Sequence, residues 1–486
     1  MTGTTPESLV AIARNSLGTD DEEAAALKLR AGAKKFNQPQ LWQWTALLER
    51  AQDRLVEALD AIGRAAILAP DDAGIAHAGA RITHEAGIDA RASYARARLL
   101  APADGSVLIG EIAARAAVGD GARAADDLAS LLHANPRWIA GHEQFAQLQA
   151  FLGRPDCASQ SLDAALALVP AEETLWSALL ELAIRREAFS DLEPLLDRAS
   201  RAGVMPPYFQ RFAAIGSSES GNSDRAETLF AQLPPSGAPI WRIRHLLRTG
   251  RAREALPLID VELAGLGLAD ALPYAYLAWR LTGDRRLDWL TGHPGSIAVY
   301  DLADQLPPLS RLKDVLTKLH QNAGQFLDQS VRGGSQTDGP LFMRIDPDIV
   351  ATRAAVVASV ERYRSALPPR DLAHPLLGAR RDGAVRFAGS WSVRLSAGGK
   401  HSSHTHPQGW ISSALYVALP PPGFDHAGWL SLGDAPPDLG LSLSPLKVVE
   451  PRPGRLVLFP SWLWHSTIPF AEGKRLTIAF DIARPS

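Results

Sequence analysis

Residues 404–417 read His-Thr-His-Pro-Gln-Gly-Trp-Ile-Ser-Ser-Ala-Leu-Tyr-Val, and they begin with two histidines spaced two positions apart. In a β-strand, residues i and i+2 point to the same face, so His404 and His406 can direct two imidazoles toward one point. Residues 456–460 predict another strand, and the turn that follows can bring His465 to the same point. Because neutral imidazole is the commonest protein metal ligand, the pattern indicates a metal site.

Arg475 lies ten residues after His465, at the start of a predicted strand of residues 476–480. A guanidinium at that position suits bidentate capture of a carboxylate. Three protein ligands on one face leave open positions for a substrate and O₂, as non-haem Fe(II) oxygenases require. The residues therefore suggest an enzyme that binds a keto acid on iron.

Four blocks of sequence resemble, in the family's order, the double-stranded β-helix Fe(II)/2-oxoglutarate oxygenases. The likeness is greatest to bacterial oxygenases with an H-x-H-P…W-x-S…Y-V pattern, and it covers roughly residues 295 to 486. The blocks are residues 328–337, 391–395, 404–417, and 453–465 followed by Arg475 and Thr477. The resemblance implies a C-terminal double-stranded β-helix, or jelly-roll, domain with flanking helices.

The first ligand pair departs from the usual family pattern, because most 2-oxoglutarate oxygenases have H-x-D where this chain has His404-Thr405-His406. By analogy with the superfamily, His404 and His465 are metal ligands, and His406 is either the third ligand or a group outside the coordination shell. We favour a three-histidine site, because no Asp or Glu lies between residues 391 and 416. The nearest downstream carboxylates, Asp425 and Asp434, lie in predicted Gly- and Pro-rich turns.

The resemblance also implies roles for other residues. Fe(II), 2-oxoglutarate and O₂ would be the cofactor and cosubstrates, with hydroxylation of a C–H bond and release of succinate as the default outcome. The distal carboxylate of 2-oxoglutarate would bind Arg475 with help from Thr477. We further expect Tyr416 and Arg394 to line the cofactor site. The candidate substrate contacts are Arg332, Gln336 and Trp410. His401 and His426 are interpreted as solvated loop histidines.

Two alternatives remain open. The spacing of Gly398 and Gly454 from the histidines is also typical of cupins, although the glutamate expected shortly after the H-x-H is absent. Such a three-histidine metal enzyme would not use 2-oxoglutarate, and Arg475 would matter little to it. The second alternative is a non-catalytic repeat scaffold with an inactive β-domain, supported by the missing aspartate.

Composition divides the chain of 486 residues into a helical and a β-rich part. Residues 1 to about 290 are rich in Ala, Leu, Arg and Glu, whereas Val, Ser, Thr, Trp, Gly and Pro dominate from about 380 onward. A net charge of −3 gives no indication of nucleic-acid or membrane binding. One cysteine, no secretory signal and no membrane-length apolar run favour a cytoplasmic protein.

Prolines at 70, 102, 136 and 170 mark a repeat with spacings of 32, 34 and 34 residues. An alanine precedes each proline by twelve residues, and glycines recur at 87, 119 and 153. This period resembles tetratricopeptide repeats, and four clear helix pairs are expected between about 38 and 202, with degenerate pairs after them. Such an α-solenoid has a concave groove, which either recruits a protein or peptide or only packs against another subunit or the β-domain.

Three domains are therefore expected: TPR-like repeats at 1–292, a helical approach that starts the oxygenase domain at 293–390, and its β-core at 391–486. Within the approach, residues 310–327 and 349–367 are predicted helices. Residues 332–337 are a predicted loop, in which two glycines allow the backbone to come close to another group. This loop either borders the active site or forms a turn in which Arg332 pairs with Asp328.

Overall fold

A computed structural model describes residues 5–19, 21–322, 324, 327 and 329–485. Twenty α-helices and nine β-strands make up the regular structure of this described part. None of its helices combines the length and the apolar character needed to cross a membrane. The predicted order is confirmed: helical repeats are followed by an antiparallel β-domain with flanking helices.

Eighteen of the helices precede residue 292 and form the repeat region. They are α1 Pro6–Ser16, α2 Glu22–Phe36, α3 Pro39–Ala51, α4 Leu55–Leu68, α5 Ala73–Glu85, α6 Arg91–Leu100, α7 Gly105–Ala117, α8 Gly121–Ala134, α9 Ile139–Phe151, α10 Gln160–Leu168, α11 Glu173–Arg185, α12 Leu192–Arg201, α13 Gln210–Glu219, α14 Ser223–Gln232, α15 Pro239–Arg248, α16 Ala252–Ala264, α17 Leu268–Thr282 and α18 Arg286–Thr291. Two more helices flank the β-domain, α19 Leu309–Leu319 and α20 Pro347–Ala366.

The repeat marks fall at equivalent places in successive helix pairs. Each of the four prolines lies two residues after the end of the second helix of a pair. The four alanines that precede them by twelve residues are at most 1% exposed, so they fill the positions where neighbouring helices approach closely. Residues 38–202 hold five pairs rather than the predicted four. The fifth pair, α11 and α12, was missed because its following proline is displaced to Pro206.

Gly87, Gly119 and Gly153 join the two helices of a pair with φ of 79°, 89° and 74°, a left-handed backbone that favours glycine.

Gly153→Ala is expected to lower the free energy of unfolding by about 1 kcal/mol, because only backbone strain is added; no atom lies within 4 Å of the new Cβ. Gly63→Ala, in the interior of α4 and equally open, should instead raise it by about 0.5–1 kcal/mol. Urea denaturation measures both, and effects of the same sign would contradict this explanation.

The β-domain contains two antiparallel sheets. The strands are β1 Ala298–Asp301, β2 Val331–Gln336, β3 Phe387–His401, β4 Ile411–Ala418, β5 Leu430–Leu432, β6 Lys447–Val449, β7 Arg455–Pro460, β8 His465–Thr467 and β9 Lys474–Ile482. The large sheet has the order β1-β7-β4-β9-β3-β2, and the small sheet has the order β6-β5-β8. One face of the large sheet shares a core with the small sheet, and the other packs on α19 and α20.

The prediction of a loop at residues 332–337 is wrong, because this segment forms most of strand β2, which pairs with β3. Glycine disfavours strands, so the local sequence did not indicate one. A register shift separates Arg332 from Gly334, and Gly333 has φ of 71°. A Cβ on Gly334 would lie 2.4 Å from the carbonyl oxygen of Arg394, so the glycines do allow close approach of two backbones.

The predicted helix at residues 310–327 is shorter than expected. Helix α19 ends at Leu319, and a single 3₁₀ turn follows it. Part of the remaining predicted segment lies outside the described residues. The second predicted helix corresponds to α20, Pro347–Ala366.

His320 holds the end of α19 against the large sheet. Its Nδ1 lies 2.9 Å from Ser335 Oγ and its Nε2 lies 3.0 Å from Ser392 Oγ, and the residue is 1% exposed. Burial lowers the pKa of His320 to about 4. The unfolded chain protonates His320 near its ordinary pKa of about 6.5, whereas the folded protein has a pKa of about 4 there. The stability linked to this group is therefore complete above pH 6.5 and is lost as the pH falls toward 4.

We expect the free energy of unfolding to fall by on the order of 3 kcal/mol, through His320 alone, as the pH falls from 6.5 to 4. Denaturation of His320→Gln across this range should show a flatter pH dependence, because glutamine does not titrate. His133→Gln, at an exposed site, is the control and should keep the pH dependence of the unchanged protein. Equal slopes for all three proteins would contradict the assignment.

The repeat region contacts the β-domain near both of its ends. Near the first end, Ile345 N–H donates to the carbonyl of Ala86 at 3.1 Å, and Arg353 pairs with Asp53 at 3.3 Å. Near the second end, Tyr276 of α17 donates to the carbonyl of Gly433 at 2.9 Å. Helices α15–α17 share one hydrophobic core with β4, β5 and β7. The repeats therefore bridge one side of the β-domain, and space remains between the two.

Candidate metal centre

Three histidines come together beside the small sheet, although the strand predicted at residues 404–406 is not formed. His465 begins β8, His404 forms an isolated bridge to it, and His406 lies outside the strands. His404 and His465 form an antiparallel bridge in which each backbone N–H donates to the other's carbonyl, at 3.1 and 3.0 Å. Their ring centroids are 4.1 Å apart, and the ring of His406 lies 5.0 Å from both. One ligand atom from each of the three residues lies within 4.8 Å of the others. This spacing is compatible with a single ion held by all three imidazoles.

Each of the three rings is oriented by an acceptor at Nδ1. His404 Nδ1 lies 2.8 Å from the carbonyl of Ser402, and His465 Nδ1 lies 3.0 Å from the carbonyl of Leu463. His406 Nδ1 lies 2.5 Å from a carboxylate oxygen of Asp481. An acceptor at Nδ1 fixes the tautomer and leaves the lone pair of Nε2 available to a metal, and at His404 this Nε2 also lies 3.1 Å from Ser330 Oγ.

Burial favours the uncharged form of His404 and His465, the form that binds a cation. The pKa of His404 and that of His465 lie well below the usual value, first because the rings are buried and then because neighbouring histidines disfavour a second charge. Both rings are therefore neutral at pH 7, as a metal ligand must be. Three imidazole donors suit a first-row transition metal such as Fe(II).

His401 is not the solvated loop histidine that the sequence predicted. It is the last residue of β3, and its ring stacks on that of His404 with centroids 5.7 Å apart. Ser330 Oγ lies 3.1 Å from His401 Nδ1 and also 3.1 Å from His404 Nε2. The prediction failed because β2, which brings Ser330 alongside, was itself taken for a loop. His426 is exposed, as expected.

Strand β9 supplies a row of polar residues that face the histidines. Arg475, Thr477 and Asp481 occupy alternate positions, so their side chains share one face. Sequence reasoning missed Asp481, although its spacing of four from Thr477 was a usable indication. Besides contacting His406, Asp481 accepts a hydrogen bond from Ser412 Oγ at 2.6 Å.

Asp481→Asn is expected to weaken metal binding by about 10- to 100-fold, because an uncharged partner makes the His406 ring a poorer ligand. Anaerobic titration with Fe(II), and in parallel with Co(II), measures the change. Asp425→Asn removes an exposed carboxylate and should leave the metal affinity unchanged. If both variants bind the metal equally well, Asp481 does not act through His406.

Arg475 is a buried guanidinium, 3% exposed, with no acidic partner among the described residues. It donates to Thr467 Oγ1 at 2.5 Å, and its charged carbon lies 5.0 Å from the centre of the Tyr416 ring. Burial lowers the pKa of Arg475 and raises that of Tyr416. Within the described part of the chain, Arg475 Nε and the Tyr416 hydroxyl form no hydrogen bond of good geometry, although the hydroxyl and the guanidinium interact with each other. Unpaired buried donors of this kind fit an anionic ligand.

The histidines open into a cavity of about 1360 Å³ between the repeats and the β-domain. Arg475, Thr477 and Asp481 line it from β9, and Arg332 and Gln336 line it from β2. Repeat residues form the opposite wall, namely Ile184, Arg185, Glu187, Phe189, Trp241 and Arg244.

Two predicted contacts lie elsewhere. Trp410 is buried in the core on the far face of the large sheet, where its Nε1 donates to the carbonyl of Leu376 at 3.0 Å. Arg394 donates to the carbonyl of His320 at 3.3 Å, on the face of β3 opposite Trp391. Neither residue lines the cavity. The predicted partner of Arg332, Asp328, lies outside the described residues, and Arg332 pairs with Glu187 of the repeats at 3.2 Å.

Residues 389–481 match the sequence model of a family described as "Putative 2OG-Fe(II) oxygenase". The match includes the three histidines, Arg475 and Asp481. No curated protein sequence matches the chain. Residues 389–481, in the C-terminal part of the chain, are therefore similar to the 2OG-Fe(II) oxygenase family.

Several solved structures are similar to parts of the chain. A tetratricopeptide repeat protein from Parabacteroides merdae is 17% identical, with a TM-score of 0.30, over 46% of this chain and 91% of that one. A prolyl-4-hydroxylase from Pseudomonas putida is 16% identical, with a TM-score of 0.28, over 41% and 97%. An oxidoreductase of the 2OG-Fe(II) oxygenase family from Burkholderia pseudomallei is 11% identical, with a TM-score of 0.27, over 39% and 85%.

Proposed function

We propose that this protein is an Fe(II)- and 2-oxoglutarate-dependent dioxygenase that hydroxylates a substrate recruited with help from its repeats. The observation that carries the proposal is the convergence of three oriented imidazoles beside a buried arginine that has no acidic partner in the described chain. In this proposal, residues 1–292 form the repeat domain, and residues 293–390 and 391–486 form the approach and the β-core of the oxygenase.

His404, His406 and His465 would hold the iron through Nε2. With 2-oxoglutarate and O₂ bound, iron supplies the oxidising power that hydroxylates a C–H bond. Arg475 would bind the distal carboxylate of 2-oxoglutarate, with Thr477 and the Tyr416 hydroxyl as neighbouring donors. The residues around Arg475 are buried, so this pairing would form away from water, where a charge-assisted hydrogen bond is strong.

The surroundings of Arg475 favour this proposal over a cupin-type enzyme without 2-oxoglutarate. A buried guanidinium without an acid is costly unless an anion joins it, and a dicarboxylate cosubstrate supplies one. The convergence of three oriented histidines favours a metal-binding domain over an inactive scaffold. The two alternatives can be distinguished by binding measurements. A cupin-type enzyme would bind metal but not 2-oxoglutarate, and a scaffold would bind neither.

The repeats support a protein or peptide as the substrate. Helix α11, the loop after it and α15 contribute the wall that faces the histidines, including Phe189 and Trp241. A cavity of about 1360 Å³ is larger than an ordinary small-molecule pocket, so it has room for a chain segment. Arg332 and Gln336, on the β-domain side, are the proposed substrate contacts there.

Anaerobic titration of the full-length protein with Fe(II), with and without 2-oxoglutarate, tests the proposal. The expected result is a visible charge-transfer band that needs both components. Binding of Fe(II) without any effect of 2-oxoglutarate would support the cupin alternative. Absence of metal binding would overturn the enzyme proposal and favour the scaffold. When Fe(II) and 2-oxoglutarate are both bound, admission of O₂ should consume 2-oxoglutarate and release succinate.

A further inference from the structure

Asp434 differs from the other acidic residues that line the large cavity. Glu187 pairs with Arg332, Asp438 pairs with Arg244 and Arg248, and Asp481 contacts His406. Asp434 has no basic partner among the described residues, and its Oδ1 is buried there without a hydrogen bond. Burying a carboxylate oxygen without a hydrogen-bond donor costs free energy, so a ligand that donates to Asp434 Oδ1 would stabilise it.

The backbone beside Asp434 is held from two sides. Gly433 has φ of 84°, its N–H donates to the carbonyl of Trp464 at 2.7 Å, and its carbonyl accepts from Tyr276 at 2.9 Å and from Arg280 at 2.8 Å. Repeat helix α17 therefore fixes the segment that carries Asp434. An acidic side chain on such a rigid support is suited to specific recognition.

Asp434 is also tied to both segments that carry the candidate metal ligands. Ser466 Oγ, next to His465, donates to Asp434 Oδ2 at 3.1 Å. Ser403 Oγ, next to His404, donates to the carbonyl of Asp434 at 3.1 Å. The two hydroxyls hold one oxygen and the main chain in place and leave Oδ1 free. This arrangement places a carboxylate oxygen without a hydrogen-bond partner in the described chain next to the segments that carry His404 and His465.

The geometry points to Asp434 as the site that binds a cationic nitrogen of the substrate, the ammonium of a lysine or the guanidinium of an arginine. This inference deepens the proposed function and rests on it for the identity of the reaction. A cation would supply the missing donor at Oδ1 and neutralise the charge. The aromatic rings of Phe189, Trp241, Trp391 and Trp464 line the same cavity and suit the aliphatic stem and the charged head of such a side chain.

The nitrogen held at Asp434 would direct the methylene groups of the basic side chain along the wall that carries the histidines. The substrate class is therefore a polypeptide segment with a lysine or arginine. Asp434 acts here as a specificity residue that touches the substrate but not the metal.

Binding of labelled peptides that differ only at one central residue tests this inference. The central residue is lysine, arginine, norleucine or glutamate, and fluorescence anisotropy measures each affinity for the full-length protein, with and without Fe(II) and 2-oxoglutarate under anaerobic conditions. We expect the basic peptides to bind about 10- to 100-fold more tightly than the norleucine peptide. Asp434→Asn should remove this preference and leave the affinity for norleucine unchanged.

Asp438→Asn is the matched control, because Asp438 lines the same cavity but is already paired with arginines. It should retain the preference for basic peptides. Ser466→Ala, which leaves the carboxylate but removes its hydroxyl donor, should reduce the preference by a few fold and covers the case in which Asp434→Asn fails to fold. No preference in the unchanged protein, or a preference that survives in Asp434→Asn, would overturn the inference.

The readout separates this inference from the proposed function. Loss of the basic preference in Asp434→Asn, without any Fe(II) or 2-oxoglutarate binding, would sustain the cation site and overturn the enzyme. Binding of iron and 2-oxoglutarate without a preference for basic peptides would sustain the enzyme proposal and overturn the cation site.

Discussion

Arg475→Ala is expected to lower the affinity for 2-oxoglutarate by roughly 30- to 5000-fold, which corresponds to the loss of about 2–5 kcal/mol for one partner of a buried ion pair. The size of the effect follows from burial. The guanidinium is 3% exposed, so water cannot replace it as a partner of the carboxylate. Fe(II) binding should be retained, because Arg475 contacts Thr467 and Tyr416 rather than the histidines. Anaerobic titration of the iron-loaded variant measures the loss.

Two further variants separate ligand binding from folding. Arg452→Ala removes an exposed guanidinium that pairs with Glu450, and it should bind 2-oxoglutarate as the unchanged protein does. Arg475→Met keeps the apolar stem and removes the buried charge, so the ligand-free protein should be at least as stable as the original. A large fall in the melting temperature of Arg475→Met would mean that Arg475 stabilises the folded protein, independently of ligand binding. Unchanged 2-oxoglutarate binding in Arg475→Ala would favour the cupin alternative.

His404→Ala and His465→Ala are each expected to weaken metal binding by more than 100-fold, a larger loss than the 10- to 100-fold typical of a partner outside the coordination shell. Each substitution removes one of the three nitrogen donors that, in the described part of the chain, approach within 4.8 Å of one another. His406→Ala distinguishes the two roles that the sequence left open. A loss of the same size as in His404→Ala would make His406 a ligand, whereas a smaller loss would place it outside the shell.

His426→Ala is the control for these variants, because His426 is an exposed loop histidine that packs on Trp429. Its metal affinity should equal that of the unchanged protein. Metal content after purification and anaerobic Co(II) titration give two independent measurements. Full metal binding by His404→Ala or His465→Ala would contradict the three-histidine centre.

Features that depend on local spacing were accessible from the sequence. The repeat period predicted helix pairs because a proline, an alanine and a glycine each recur at one place in the pair, and each acts through its own backbone or its own size. The spacing of His404 and His406 predicted that their imidazoles converge, which they do, although the two residues lie between β3 and β4 rather than in a strand. These predictions needed no knowledge of which segments are neighbours in space.

Features that depend on partners distant in the chain were not accessible. The glycine-rich segment of β2 is a strand only because β3 pairs with it, and this pairing also brings Ser330 to His401 across 71 residues. Asp481 became a site residue only when folding brought it to His406 across a separation of 75 residues in the chain.

The sequence by itself determined the order of a helical repeat region and a β-domain, and the residue types of a candidate iron centre, because helix and strand periodicity and side-chain chemistry are local properties. Only the tertiary structure decided that Arg475 is buried without an acidic partner in the described chain, and that the repeats form the wall opposite the histidines. Burial and enclosure arise from packing between segments, and no short stretch of sequence encodes them alone.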